Sequence, residues 1–143
     1  ILNQEVFSPR IGKSNQLRIL LAEDEDVNRL ATSKLLERKG HIVKAVKDGQ
    51  EAIALLKEGV FDVVLMDIQM PVMDGVEATA AIRKGDAGPN TKDIPIIAMT
   101  AYAMGGDKEK FLAAGMNGYI AKPVDVEQLE NLIQNAFNTP SDK

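Results

Sequence analysis

Three runs of four consecutive apolar residues, Ile19–Ala22, Val63–Met66 and Ile96–Met99, constrain this chain more than any other feature. Each is too short to make a helix of its own, and none contains a polar residue to face water. Strands of this kind must be covered on both faces, as happens in parallel sheets flanked by helices. A chain of 143 residues can supply that cover within one domain.

The stretches between the runs supply the helices. Val27, Ala31 and Leu35 recur at helical spacing over 27–39, and Gly40 is placed to stop that helix. Residues 41–46 alternate and predict a half-buried strand. Asp48 can cap a helix carrying Ala52, Ile53 and Leu56 up to Gly59, and Asp74 can cap another through Lys84. Residues 85–93 are rich in Gly, Pro and Asn and predict a loop. A short helix over 107–114 stops at Gly115, and 119–121 makes a fifth strand. Asp125 then caps a last helix with Val126, Leu129, Ile133 and Ala136 on one face. Five strands alternating with five helices imply an α/β doubly wound (βα)5 sandwich, a five-stranded parallel sheet with helices on both faces. The strand order 2-1-3-4-5 is expected by analogy with flavodoxin-like sheets. Residues 1–16 predict a linker or tag remnant, 17–138 the folded domain and 139–143 a frayed tail.

Composition excludes several functions. With Lys+Arg 17 against Asp+Glu 21 the net charge is −4, so a broad basic face and direct nucleic-acid binding are not expected. The absence of cysteine removes disulfides, zinc–thiolate sites and thiol nucleophiles together. No apolar run nears the roughly 20 residues of a membrane helix, and no signal peptide is evident. Membrane contact by this domain is therefore not expected.

In an open parallel sheet, ligands bind beyond the carboxyl ends of the strands. There the first strand delivers Glu23 and Asp24, the third Asp67, the fourth Thr100 and the fifth Lys122-Pro123. Glu25 and Asp26 read instead as helix-start residues, with Asp26 as the N-cap. Two carboxylates about 4 Å apart repel by about 4 kcal/mol at an effective dielectric of about 20. A hard divalent cation such as Mg²⁺ offsets that repulsion using carboxylates, a backbone carbonyl and water. A cation, an ammonium and a hydroxyl around one carboxylate suit an incoming phosphoryl group, whose charge is spread over three oxygens.

The segments ILLAEDEDVNR (19–29), VVLMDIQMPVMDG (63–75), IIAMTA (96–101) and GYIAKPV (118–124) resemble a two-component receiver domain. That domain is the phosphoacceptor module of response regulators and hybrid histidine kinases. The resemblance implies that Asp67 is the phosphoacceptor, forming an acyl phosphate. It implies that Asp24 binds Mg²⁺ (or Mn²⁺) directly, that Glu23 acts largely through water, and that Asp67 and the Gln69 backbone carbonyl complete the metal site. Thr100, the backbone amides of Ile68 and Ala101, and Lys122 would contact the phosphoryl group. Pro123 would fix the turn after Lys122, often in this family through a cis bond.

The same resemblance implies a switch. Thr100 moves toward phosphorylated Asp67 and Tyr119 turns inward behind it, while Gly105 and Gly106 leave the start of the fourth helix mobile. Gln69 and Tyr102 occupy positions that tune acyl-phosphate lifetime, here toward minutes or more. The implied donor is a histidine kinase core or a histidine phosphotransfer protein. Homodimerisation through the helix 4–strand 5–helix 5 face is also implied. His41, the single histidine, begins a strand and reads as structural rather than as a phosphodonor.

The segments 66–83 and 98–124 look most like receivers at the C-terminal end of hybrid sensor histidine kinases. A non-Met start, a linker-like N-terminus and a short tail agree with a piece of such a protein. The implied location is cytoplasmic, the parent being a candidate for anchoring in the inner membrane. A stand-alone single-domain regulator is the alternative. Two rivals come from other classes. A Mg²⁺-dependent aspartyl-nucleophile phosphohydrolase would want an Asp where Gln69 stands. An unphosphorylated receiver-like binding module would be marked by loss of Asp24, Asp67 or Lys122, and all three are present.

Overall fold

Each apolar run becomes a buried strand. A computed structural model describes residues 16–101 and 105–138 and orders them as β1 (Arg18–Ala22), α1 (Asp26–Arg38), β2 (Ile42–Val46), α2 (Gly49–Glu58), β3 (Val63–Asp67), α3 (Gly75–Lys84), β4 (Ile96–Thr100), α4 (Gly105–Ala114), β5 (Gly118–Ala121) and α5 (Val126–Asn138). The sheet order is β2-β1-β3-β4-β5, with all neighbours parallel. This is the expected flavodoxin-like arrangement. Apart from Gln16, the expected linker and tail lie outside the described residues, as does Tyr102.

Period-two alternation along the strands divides the core into two layers. Leu20, Ala22, Val64, Met66, Ile96 and Ala98 pack with α2, α3 and Phe111 of α4. Ile19, Leu21, Val63, Leu65, Ile97 and Met99 pack with Leu36 of α1 and with Leu129 and Ile133 of α5. In-register pairing sets Ala22 beside Met66, Asp67 beside Met99 and Thr100 beside Ala121. The strand ends therefore emerge along one edge.

The helices start and stop where local chemistry allows. Asp48 accepts the Glu51 amide at 2.8 Å to cap α2. Asp74 and Glu77 exchange bonds in a capping box at α3, which ends on Gly85 in the left-handed region. Asp125 accepts the Gln128 amide at 3.1 Å at the start of α5.

Four details differ from expectation. The N-cap of α1 is Glu25, without a side-chain cap bond, and Asp26 lies in the first turn facing Arg29 at 2.6 Å. The face of α1 that is buried carries Thr32 and Leu36, one position on from the apolar series. Val27, Ala31 and Leu35 face solvent instead. β3 runs one residue past its apolar run, to Asp67, and Asp62 just before it accepts the Arg18 amide at 2.8 Å. α4 begins at Gly105, so both glycines form its first turn rather than preceding it.

His41 is buried and structural, as expected. Its Nδ1 accepts the Leu17 amide at 3.1 Å, which leaves the proton on Nε2, facing Glu130 at 3.3 Å. Among the described residues no helix is long and apolar enough to cross a membrane.

Candidate active site

The strand order turns four separated sequence segments into one cluster. β1 runs out into Glu23 and Asp24, β3 ends on Asp67, β4 ends on Thr100, and β5 leads to Lys122. Carboxylate oxygens of Glu23, Asp24 and Asp67 lie within 4.8 Å of one another. Lys122 Nζ donates to Asp67 Oδ2 at 3.1 Å and to Glu23 Oε1 at 3.2 Å. The other oxygen of Glu23 accepts the Glu25 amide at 3.1 Å. Glu23 and Asp67 are almost wholly buried, at 1% and 3% exposed. Asp24 is the solvent-facing member.

Burial and then the Glu23 carboxylate push the Asp67 carboxyl up to about 6, against the opposing pull of Lys122. Burial alone would lower Lys122, but Asp67 and Glu23 outweigh it and raise the ammonium above its usual range. The cluster sets three acidic side chains against one lysine. That surplus of negative charge on hard oxygen donors fits a hard divalent cation, Mg²⁺ or Mn²⁺, better than a soft metal.

The surrounding backbone is fitted closely to Asp67. The Gly75 amide donates to the Ile68 carbonyl at 3.0 Å. A Cβ at Gly75 would run into the Asp67 carbonyl oxygen and approach Met66 Cγ at 3.0 Å. A cleft of about 400 Å³ opens over the acids, with Thr100, Ala101, Phe111 and Lys122 in its wall. A second of about 660 Å³ adjoins it along Asp24, Gln69, Pro71 and Lys110. The Lys122–Pro123 peptide is cis.

Most of the expected site residues meet here. The Ile68 amide donates to the Met99 carbonyl at 3.1 Å, continuing the β3–β4 ladder. Tyr119 stands off the cluster, half-buried, with its ring centroid 6.1 Å from that of Phe111 and tilted by 58°. Phe111, Asp107 and Lys110 line the cleft without having been singled out in the sequence. Their signal was their place on the helix after Thr100. Arg29 was overlooked too. Its guanidinium donates to the carbonyls of Glu23 at 3.0 Å and Asp24 at 3.3 Å.

The profile of the response regulator receiver domain family matches residues 19–134. The sensor protein GacS of Pseudomonas syringae pv. syringae is 42% identical over 137 residues, covering 90% of this chain and 15% of that protein. The chain thus spans a small part of that relative's length. The receiver domain of sensor histidine kinase PA1611 from Pseudomonas aeruginosa PAO1 was solved with a magnesium ion coordinated in the active site cleft. It is 40% identical, with a TM-score of 0.76, covering 87% of this chain and 99% of that one. The receiver domain of Ssk1 from Saccharomyces cerevisiae, solved with the histidine phosphotransfer protein Ypd1, is 30% identical. Its TM-score is 0.75, covering 90% and 97% of the two chains.

Proposed function

The chain belongs to the response regulator receiver domain family, and from that premise we propose that Asp67 accepts a phosphoryl group from a phosphohistidine. The observation that carries this reading is the buried Asp67 carboxylate with Lys122 Nζ at 3.1 Å and two further carboxylates converging on it. With its carboxyl near 6, Asp67 is mostly ionised at neutral pH and ready as a nucleophile. One of its oxygens attacks phosphorus and the P–N bond breaks. The electron pair goes to a ring protonated at its other nitrogen, leaving an acyl phosphate and a neutral imidazole.

Asp24, Glu23, Asp67 and the Gln69 backbone carbonyl would hold Mg²⁺ (or Mn²⁺), with Glu23 acting mainly through water. Bound there, the ion supplies positive charge to the phosphoryl oxygens. Lys122 is held between Glu23 and Asp67 and shifts its donors to the phosphoryl group as charge arrives there. Thr100 contributes its hydroxyl and Ala101 its backbone amide. The Ile68 amide contributes only by sharing its bond to Met99. Thr100 movement then draws Tyr119 inward, changing the α4–β5–α5 face used for readout and for homodimerisation. Gln69 and Tyr102 set the lifetime of the product.

The partner is a histidine kinase core or a histidine phosphotransfer protein, seated on α1. Val27, Leu30 and Leu35 of α1 are 71%, 60% and 37% exposed. They lie on the same helix as Asn28, which lines the cleft. Similarity to a sensor protein and to a hybrid signal transduction histidine kinase supports a hybrid sensor histidine kinase as the parent, and a cytoplasmic place for this domain belongs to the same proposal.

Acetyl phosphate and Mg²⁺ added to the protein and to Asp67→Asn, read by intact mass, test the reading. One phosphoryl mass is expected on the wild type alone, and none in EDTA. Equal uptake by Asp67→Asn would overturn it. So would no uptake by the wild type together with no binding of beryllofluoride.

A further inference from the structure

The β1–α1 loop that carries Glu23 and Asp24 lacks the usual fastening at a helix start, because Glu25 at the N-cap makes no side-chain cap bond. Arg29 stands in its place. Its backbone amide donates to the Glu25 carbonyl at 2.8 Å. One guanidinium nitrogen donates to the Glu23 carbonyl at 3.0 Å and to the Asp24 carbonyl at 3.3 Å. The other donates to Asp26 Oδ1 at 2.6 Å. The bond to Glu25 is the first backbone bond of the helix, and the side chain itself holds residues 23, 24 and 26, the first two of which carry site carboxylates. The Arg29 side chain is largely covered, at 21% exposed, and its bond to the Glu23 carbonyl is partly buried, while Asp26 stands in solvent at 82%. The planar fork presents these donors in a fixed arrangement, whereas an ammonium on a flexible stem must be ordered to do so.

We propose that Arg29 is the positioning residue of the metal site, locking the loop backbone so that the Glu23 and Asp24 carboxylates face Asp67. The inference rests on the reading of those carboxylates as the metal pair. Charge alone predicts the opposite sign. A guanidinium beside the cluster repels a dication, so its removal would tighten metal binding if electrostatics were its only contribution. Positioning predicts that removal loosens binding, because the carboxylates lose their fixed separation.

Titration of the wild type, Arg29→Ala and Arg29→Lys with MgCl₂, followed by amide NMR shifts around Asp67, separates the two. Loss of a supporting contact of this kind should weaken Mg²⁺ binding about 10-fold in Arg29→Ala. Arg29→Lys should fall between it and the wild type. At saturating Mg²⁺, phosphoryl uptake from acetyl phosphate should return to within about two-fold of wild type, since the reacting groups are intact. Thermal melts in EDTA report any general loss of stability, and Arg29→Lys alone decides if Arg29→Ala does not fold. Unchanged Mg²⁺ affinity in folded variants would overturn the proposal. So would tighter binding in Arg29→Ala with Arg29→Lys unchanged. A wild type that binds no Mg²⁺ would instead remove the metal-pair reading beneath it.

Discussion

α1 and α3 start at the same edge of the sheet, each just after a strand that delivers site carboxylates, yet they are held in opposite ways. α3 is closed at both ends by its own residues, through the Asp74–Glu77 capping box and left-handed Gly85, and it buries Ala78, Thr79 and Ile82. α1 has no side-chain cap, is braced by Arg29, and buries only Thr32 and Leu36 while Val27 and Leu30 face water. The difference separates two tasks. α3 is fixed in place beneath Asp67, where Gly75 leaves no room for a side chain. α1 leaves Val27 and Leu30 exposed on the helix that borders the cleft, the surface on which the proposed function seats a partner. Exposed apolar residues that contribute little to the fold are what a docking face requires.

The largest stability contrast should come from truncating one apolar side chain on each helix. Ile82→Ala should lose about 3 kcal/mol in urea unfolding, as expected for a fully buried side chain, and Leu30→Ala should lose under about 0.5 kcal/mol. Comparable losses would erase the contrast.

Next comes pH. Asp67 has its carboxyl raised from 3.8 to about 6, so between those values the native state binds a proton that the unfolded chain has released. The stability that Asp67 contributes in EDTA should therefore be fully present below about pH 4 and be lost as pH rises through about 6. Asp67→Asn should flatten that loss, and Mg²⁺ should oppose it in the wild type. Denaturant melts across pH with and without Mg²⁺ check the sign.

Smaller again is the difference between the helix starts. Asp74→Ala should cost about 1 kcal/mol by removing the capping box, whereas Glu25→Ala has no cap bond to lose and should leave thermal stability near wild type. The smallest effect on stability, within about 0.5 kcal/mol, belongs to Leu30→Ser. That variant should still slow phosphoryl transfer from a phosphohistidine protein while leaving uptake from acetyl phosphate unchanged. Equal slowing with both donors would place Leu30 in the chemistry rather than in docking.

The same contrast governs what could be read from the sequence. β1, β3 and β4 were legible because their apolar runs are too short to be helices of their own and fit a sheet covered on both faces. Once their ends were placed, Glu23, Asp24, Asp67, Thr100 and Lys122 fell into one cluster. α3 was legible too, since its cap and its stop are local. α1 was not. Periodicity in Val27, Ala31 and Leu35 marks an apolar face but cannot say whether that face meets the core or a partner, and the core-facing series here includes polar Thr32. Arg29 escaped notice because a guanidinium folding back onto backbone carbonyls leaves no pattern in side-chain spacing. The Ile68 amide depends on how far the β3–β4 ladder runs, which residue types do not encode.

Trapping the phosphorylated protein with borohydride tests the central claim most directly. Reduction of an acyl phosphate converts the modified aspartate to homoserine, and peptide mass spectrometry locates it. Phosphoryl transfer to the Lys122-paired carboxylate predicts homoserine at position 67, only after treatment with a phosphodonor and Mg²⁺. Homoserine at position 24 instead, or a phosphorylated protein with position 67 unchanged, would contradict the account.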